Sequence, residues 1–169
     1  MTLKLYAQPY DISATGFYFE TAEQYEELSA KAVNDFGQRV EEFEIQFIDG
    51  ERIDGELARV WELNQVNFGA FLDAAEDWDD ERKRHYIIAV EECGYGHFDV
   101  VDEPESVEID LYSVGSLREL AEQFVEEGLF GEIPKPLRFY IDYDAIARDL
   151  AVDYSETYIA GEGLIYRCG

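Results

Sequence analysis

The sequence has few of the residues on which catalytic and metal sites are commonly built. Its 169 residues include 2 histidines and 2 cysteines. Two histidines give little basis for a Ser–His–Asp or Cys–His arrangement, and two cysteines make no disulfide framework in a chain of this size. Gly94-Tyr95-Gly96 lacks the third glycine of the dinucleotide-binding fingerprint. We therefore expect no enzymatic activity and no cofactor.

Long apolar runs are also absent. No run approaches the roughly 18 residues that a membrane-spanning helix requires. No charged-then-apolar leader is visible at the amino terminus. These observations predict a cytoplasmic protein without a membrane partner.

Candidate metal ligands occur without the spacing that a metal site needs. The acidic run Asp77–Glu81 lacks the central glycine of an EF-hand loop, so it is better interpreted as the solvated start of a helix, where acids are favoured by the helix dipole. Cys93 and His97 are four residues apart, but a tetrahedral zinc site needs a second such pair. We predict no metal site, a buried Cys93 and a surface His97.

Basic residues are scarce relative to acidic ones. The chain has 13 Lys and Arg against 39 Asp and Glu, a formal net charge of −26. Such a field repels nucleic acid and anionic membranes and attracts proteins with basic sites. A halophilic surface is an alternative, which we rank lower because 12 Tyr, 11 Phe and 2 Trp indicate a substantial core. The hydrophobic fraction of 47% excludes a disordered acidic chain.

The negative charge is spread along the whole chain. Residues 1–60 carry 13 acidic and 5 basic residues, residues 61–103 carry 12 and 3, and residues 104–169 carry 14 and 5. Duplex DNA carries about one charge per 1.7 Å of axis, so 26 charges correspond to roughly 44 Å, or about 13 base pairs. The charge is therefore sufficient for imitation of DNA.

The periodicity predicts an α+β protein made of three small domains. In residues 1–60, three strands accompany one helix: Leu3–Ala7, broken by Pro9 and Asp11, then Gly16–Phe19, and a third that runs from Phe43 and ends at Asp49-Gly50. That helix is capped by Thr21 and Gln24, and its predicted inner face is Tyr25, Leu28 and Ala32.

Residues 61–103 are predicted to be helical. Leu57, Val60, Trp61 and Asn64 share one face of a helix starting near Gly55, and a second helix carries Phe68, Phe71, Leu72 and Ala75. A third runs from Glu81 to Cys93 with Tyr86, Ile87, Val90 and Cys93 inward. The cluster Arg82-Lys83-Arg84, followed by His85, is too small for a nucleic-acid footprint and could form an internal ion-pair patch.

Residues 104–169 are predicted to combine strands with two helices. A strand carries Val107, Ile109 and Leu111, and Ser116 with Glu119 forms a capping box before an amphipathic helix that ends at Gly128. Pro134 and Pro136 predict an extended turn, after which Asp142 caps a helix with the inner face Tyr143, Ile146, Ala147 and Leu150. A closing hairpin is predicted around Gly161-Glu162-Gly163.

Acidic side chains occupy the faces opposite these apolar ones, and we expect them to be exposed. Three consecutive parts of the chain carry such acidic faces, and a functional acidic surface explains them better than solvation of separate helices. The candidate carboxylates are Glu23, Glu26, Glu27, Glu41, Glu42, Glu44, Asp73, Glu76, Asp77, Asp79, Asp80, Glu119, Glu122, Glu126, Glu127, Asp144 and Asp149, with Asp49, Glu51, Asp54, Glu132 and Asp142 adjoining them.

One run after Gly128 contains Leu129, Glu132, Ile133, Pro134, Leu137, Tyr140, Ile141 and Asp142, followed by Ala145, Arg148, Asp149 and Leu150. This run resembles the antirestriction motif of the ArdA family, whose members come from mobile genetic elements. Further likeness lies in Ser116–Gly128, Gly163–Tyr166, Gly16–Phe19 and Glu42–Ile45.

The resemblance implies an elongated protein of three domains that forms a homodimer through the carboxy-terminal one. It implies an inhibitor that imitates B-form DNA and occupies the DNA groove of the type I restriction–modification methyltransferase core, made of specificity and modification subunits. The apolar motif residues would serve packing and dimer contact, and the acids would form the mimic surface. An acidic adaptor or chaperone for another basic DNA-binding protein is the alternative.

Overall fold

The computed structural model describes residues 2–169, whose contacts divide into two compact units, one ending at Lys83 and one comprising Arg84–Gly169. Each unit contains one three-stranded antiparallel sheet together with helices. The predicted α+β class is therefore confirmed. The division into three domains, with boundaries after residues 60 and 103, stays a prediction.

The sheet of the first unit is built around the first strand. Strands β1 (Lys4–Pro9), β2 (Phe17–Phe19) and β3 (Phe43–Asp49) lie in the order β2-β1-β3. Leu5 and Ala7 point into the core and are fully buried, as the alternation predicts. The first strand ends where the sequence predicts, because Pro9, paired with Phe43, is the last residue of β1. A proline is tolerated at a strand end, where a missing N–H costs little.

Four α-helices begin in the first unit. They are α1 (Ala22–Ala30), α2 (Arg52–Trp61), α3 (Phe68–Asp77) and α4 (Asp80–Glu91), of which α4 continues into the second unit. The Thr21 hydroxyl accepts a hydrogen bond from Gln24 N at 3.1 Å, which confirms the predicted cap of α1. Asn64 lies beyond α2, because Glu62 adopts a left-handed conformation with φ 55° and ends that helix.

An aromatic cluster joins α1 and α3 to the first sheet. The ring of Tyr25 lies 5.1 Å from that of Phe19 and 4.7 Å from that of Phe68. The predicted inner face is confirmed only in part, because Tyr25 and Ala32 are half-buried and Leu28 is exposed. β2, which α1 contacts, is three residues long. It therefore covers only the turn of α1 that carries Tyr25.

The second unit contains the other sheet and three further α-helices. These are α5 (His97–Val100), α6 (Leu117–Glu126) and α7 (Tyr143–Leu150), with short 3-10 helices at Pro104–Ser106 and Lys135–Tyr140. Strands β4 (Ile109–Tyr112), β5 (Ser155–Ile159) and β6 (Glu162–Cys168) lie in the order β4-β6-β5. The predicted closing hairpin forms, but its turn is Ala160-Gly161, with φ of 52° and 82°. Glu162 already belongs to β6.

The core of the second unit lies between α6 and its sheet. Leu120 and Phe124 of α6 pack with Tyr154 and Ile165, and Leu150 of α7 packs against this cluster. The spacing predicts an inner face of α6 made of Leu117, Leu120, Ala121, Phe124 and Val125, and all of these are buried except Leu117, which is half-buried. In α4, four consecutive residues, Tyr86 to Ala89, are buried, so this stretch is enclosed on every side.

A disulfide bond joins Cys93, just after α4, to Cys168 at the end of β6. The sequence predicted no disulfide framework and a buried Cys93, and both predictions are wrong, because Cys93 is bonded and only half-buried. The two residues are 75 positions apart in the sequence, yet their Cα atoms lie 5.6 Å apart. The Tyr166 hydroxyl also donates to the Glu92 carboxylate at 2.9 Å, so a hydrogen bond joins the same two segments beside the disulfide. Only the folded chain reveals their proximity.

Candidate functional site

The candidate carboxylates lie on the surface of both units. All seventeen are exposed, in agreement with their positions opposite the apolar faces, and their role as a DNA-mimicking surface stays a prediction. The set comprises Glu23, Glu26, Glu27, Glu41, Glu42, Glu44, Asp73, Glu76, Asp77, Asp79, Asp80, Glu119, Glu122, Glu126, Glu127, Asp144 and Asp149.

Some of these carboxylates also have structural partners. Glu27 pairs with Lys31 at 3.2 Å, and Asp79 accepts from Arg82 N at 2.8 Å at the start of α4. Glu119 accepts from Gly115 N at 2.7 Å, one residue before the Ser116 cap of α6. These contacts fix the positions of a few carboxylates and leave the negative charge of the surface largely uncompensated.

Arg118 links α6 to α7 through the acidic surface. Its guanidinium lies 2.7 Å from the Asp144 carboxylate and 3.4 Å from that of Glu122. The hydrogen bond that Arg118 donates to Asp144, together with the charge of that carboxylate, raises the pKa of Arg118. Spacing within α6 could have indicated the Glu122 pair, but the contact with Asp144 depends on the packing of two helices.

Asp54 does not belong to the acidic surface, contrary to its sequence-based assignment. Its carboxylate is buried on the inner face of α2 and lies 2.7 Å from Lys83 Nζ, which also donates to Ala75 O at 2.8 Å. Arg84 pairs with Glu162 at 2.7 Å. The basic cluster therefore takes part in ion pairs within the chain, which is the role that the sequence suggested for it.

The motif segment, defined as residues 129–142, leaves α6 through a glycine. Gly128 has φ 78°, which lets Leu129 N donate to Phe124 O at 3.0 Å. The extended turn predicted from Pro134 and Pro136 is wrong, because a 3-10 helix begins at Lys135. Pro136 occupies its first turn, where no N–H donor is needed. Asp142 then accepts from Ala145 N at 3.0 Å, which confirms the cap of α7.

The motif segment exposes large apolar side chains. Phe139 and Tyr140 are 93% and 83% exposed, whereas Ile133 and Ile141 are half-buried. Glu132, Pro134 and Asp142 are exposed as well. Neighbouring exposed apolar residues of this size are typical of a protein interaction surface. The other exposed large apolar side chains of the motif segment are those of Leu129, Phe130 and Leu137.

No group of three or more His, Cys, Asp or Glu side chains within residues 2–169 is arranged to hold a metal ion. His97, predicted on the surface, is half-buried. Its Nδ1 lies 2.7 Å from the Tyr86 hydroxyl. Burial lowers the pKa of His97, and the nearby Asp102 partly opposes this effect. The described chain also contains no helix long and apolar enough to cross a membrane.

The comparison with protein families gives a match over most of the sequence. The profile of the antirestriction protein ArdA family matches residues 6–163. The chain belongs to the ArdA family. The motif segment and all seventeen candidate carboxylates lie inside the matched residues. No curated protein sequence matches the chain.

Membership of the ArdA family implies an antirestriction function and an interaction with restriction–modification enzymes. The structure adds which residues are available for such an interaction. These are the exposed carboxylates of both units and the exposed apolar side chains of the motif segment. Sequence reasoning missed a second exposed apolar group around Ile12 and Phe36. The turn-forming residues Asp11, Ser13 and Asn34 beside them could have indicated that Ile12 and Phe36 lie in exposed loops.

Proposed function

We propose that this ArdA-family protein inhibits type I restriction–modification enzymes by imitating B-form DNA. The observation that carries the proposal is the exposure of all seventeen candidate carboxylates in a chain of net charge −26. Exposed carboxylates would take the place of backbone phosphates in the DNA groove formed by the specificity and modification subunits. No chemical step is involved, and inhibition follows from competition for that groove.

The proposal includes a homodimer formed through the motif segment. Phe139, Tyr140 and Leu137 are exposed in the isolated chain, and a second copy would bury them. A twofold dimer uses the same patch on both subunits, so one apolar segment per chain is sufficient. Lys135 and Arg138 lie among these residues, and we assign them to the dimer contact and not to phosphate imitation.

A competition experiment tests the proposal. A labelled duplex carrying a type I recognition site is bound to the purified methyltransferase core, and this protein is titrated in at two salt concentrations. We expect displacement at nearly one dimer per core, with an affinity that falls as salt rises, because ion release drives both complexes. A folded protein that displaces no DNA would disprove the proposal, and capture of an unrelated basic protein would then favour the adaptor function.

The contribution of each carboxylate to binding provides a second test of the same mechanism. Because an exposed ionic contact contributes about 0.2–1 kcal/mol, Glu26→Gln should change inhibition only slightly. Replacing Glu23, Glu26 and Glu27 together should weaken binding and make its salt dependence shallower. Loss of inhibition from one Glu→Gln change would contradict a distributed charge surface.

A further inference from the structure

Two loops of the first unit form a second exposed apolar surface, the N-terminal patch, defined as Tyr10, Ile12, Val33 and Phe36. Ile12 is 100% exposed and Phe36 is 83% exposed. Tyr10 and Val33 are more than half exposed. These side chains contribute little to the core of the unit that carries them. Their exposure therefore needs an explanation outside the fold.

Hydrogen bonds hold the two loops of this patch together. The Asp11 carboxylate accepts from Asn34 Nδ2 at 3.0 Å and from Ser13 N at 3.0 Å. The Ser13 hydroxyl accepts from Asp35 N at 3.3 Å and donates to Asp11 at 2.9 Å. The hydrogen bonds from Asn34 and Ser13 lower the pKa of Asp11, so its carboxylate stays charged at neutral pH. Ile12 and Phe36 are thus presented by loops that are already ordered, which reduces the entropy lost on binding.

A second network fixes the loop that carries Phe36. The Asn34 carboxamide oxygen accepts from Phe36 N and from Gln38 N, both at 2.9 Å. A bridge between Val33 and Arg39 closes the same loop. The apolar side chain is therefore placed at the tip of a tight, closed turn.

An acidic groove lies beside the patch. It has a volume of about 290 Å³ and is lined by Tyr10, Asp11, Arg39, Val40, Glu41 and Glu42. The lining residues include three acids and one arginine, so the net charge of the groove is negative and favours a cationic side chain. An aromatic wall such as Tyr10 is also suited to a lysine or arginine of a partner. Charge complementarity thus indicates a basic protein as the occupant.

We propose that the N-terminal patch and its groove dock on a basic, DNA-binding protein surface that carries an apolar recess. The inference rests on the proposed function, in which that protein is the restriction–modification enzyme. A second copy of the chain is the less favoured occupant. Two copies of an acidic surface repel each other, and the proposed dimer already uses the motif segment.

The docking surface gives the inhibitor a contact that naked DNA lacks. Ionic contacts weaken with salt, whereas burial of Ile12 and Phe36 is nearly independent of salt. The patch would therefore supply affinity that persists when salt weakens the ionic contacts that DNA and this protein make with the enzyme. A few well-packed apolar anchors commonly dominate such interfaces.

The test compares the double variant Ile12→Ala/Phe36→Ala with wild type. Binding to the methyltransferase core and displacement of DNA are both measured at two salt concentrations. We expect affinity to fall by at least about tenfold at both, with an unchanged slope of log Kd against log salt. Val66→Ala/Phe98→Ala is the matched control, because those side chains are 94% and 90% exposed and lie outside the patch.

The outcomes separate the two proposals. Wild-type protein that binds the core without displacing DNA overturns the proposed mimicry, and the double variant still reports on the patch. Displacement by the double variant equal to wild type overturns the docking surface alone. A double variant with an altered oligomeric state in light scattering assigns the patch to a second copy and also overturns the inference. Unchanged melting temperatures exclude unfolding as the cause.

Discussion

Lys83 and Asp54 form a buried ion pair that ties α4 to α2. Their side chains are 5% and 10% exposed, and the charged atoms are 2.7 Å apart. Removing one partner of a buried pair leaves the other charge without compensation.

We expect Lys83→Met to lower the free energy of unfolding by about 3–5 kcal/mol. Chemical denaturation measures this change. Lys31→Met is the matched control, because the pair of Lys31 with Glu27 is 69% exposed on both sides and should change stability by less than about 1 kcal/mol. Equal effects of the two variants would show that burial does not determine the contribution of the pair.

His97 makes stability depend on pH in the second unit. Burial lowers the pKa of His97 below the ordinary value of 6.5. The unfolded chain therefore binds a proton more readily than the folded one. Stability from this residue is fully present above pH 6.5 and is lost as the pH falls through the lowered pKa.

The prediction compares wild type with His97→Gln. Between pH 7.5 and pH 5.5, wild type should lose more unfolding free energy than the variant, and an NMR titration should give His97 a pKa below 6.5. Asp102 opposes the shift, so Asp102→Asn should lower the pKa of His97 further. An identical pH dependence in wild type and His97→Gln would contradict this account.

The helix α7 depends on its cap at Asp142, the last residue of the motif segment. The Asp142 carboxylate binds Ala145 N at 3.0 Å, and loss of such a cap costs about 0.5–2 kcal/mol. Asp142→Ala should therefore destabilise the protein by about 1 kcal/mol in thermal or chemical unfolding. Asp149→Ala, near the carboxyl end of the same helix, should be neutral or slightly stabilising, because an acid there opposes the helix dipole. A larger loss from Asp149→Ala would invert this argument.

The disulfide connects the end of α4 to the last strand. It closes a span of 75 residues, and a bond of this kind contributes about 2–4 kcal/mol by restricting the unfolded chain. We expect Cys93→Ala/Cys168→Ala to lower the free energy of unfolding by that amount. Wild type measured with a strong reductant should match the double variant. No difference between oxidised and reduced wild type would show that the bond does not form in solution.

The oligomeric state of the whole molecule is predicted to depend on the motif segment. Phe139→Ala/Tyr140→Ala removes the two most exposed apolar side chains of that segment and should convert the proposed dimer to monomer in light scattering. Phe98→Ala is the control, since Phe98 is equally exposed and lies outside the segment. A double variant that remains dimeric would move the dimer contact elsewhere.

Much of the local structure was predictable because it depends on neighbours in sequence. The caps at Thr21, Ser116 and Asp142 each join residues three positions apart, and the buried face of α6 follows from helical spacing. The exposure of the acidic surface followed in the same way, from carboxylates placed opposite apolar faces. Composition alone determined the negative charge.

Tertiary structure decided the features that join distant residues. Asp54 lies on the buried face of α2 with a partner 29 positions away, and Cys93 meets Cys168 across 75 positions. Phe36 and Ile12 are apolar residues of the kind that usually form a core, and only the folded loops place them at the surface. Periodicity describes one element at a time, whereas ion pairs, disulfides and exposed patches depend on which elements pack together.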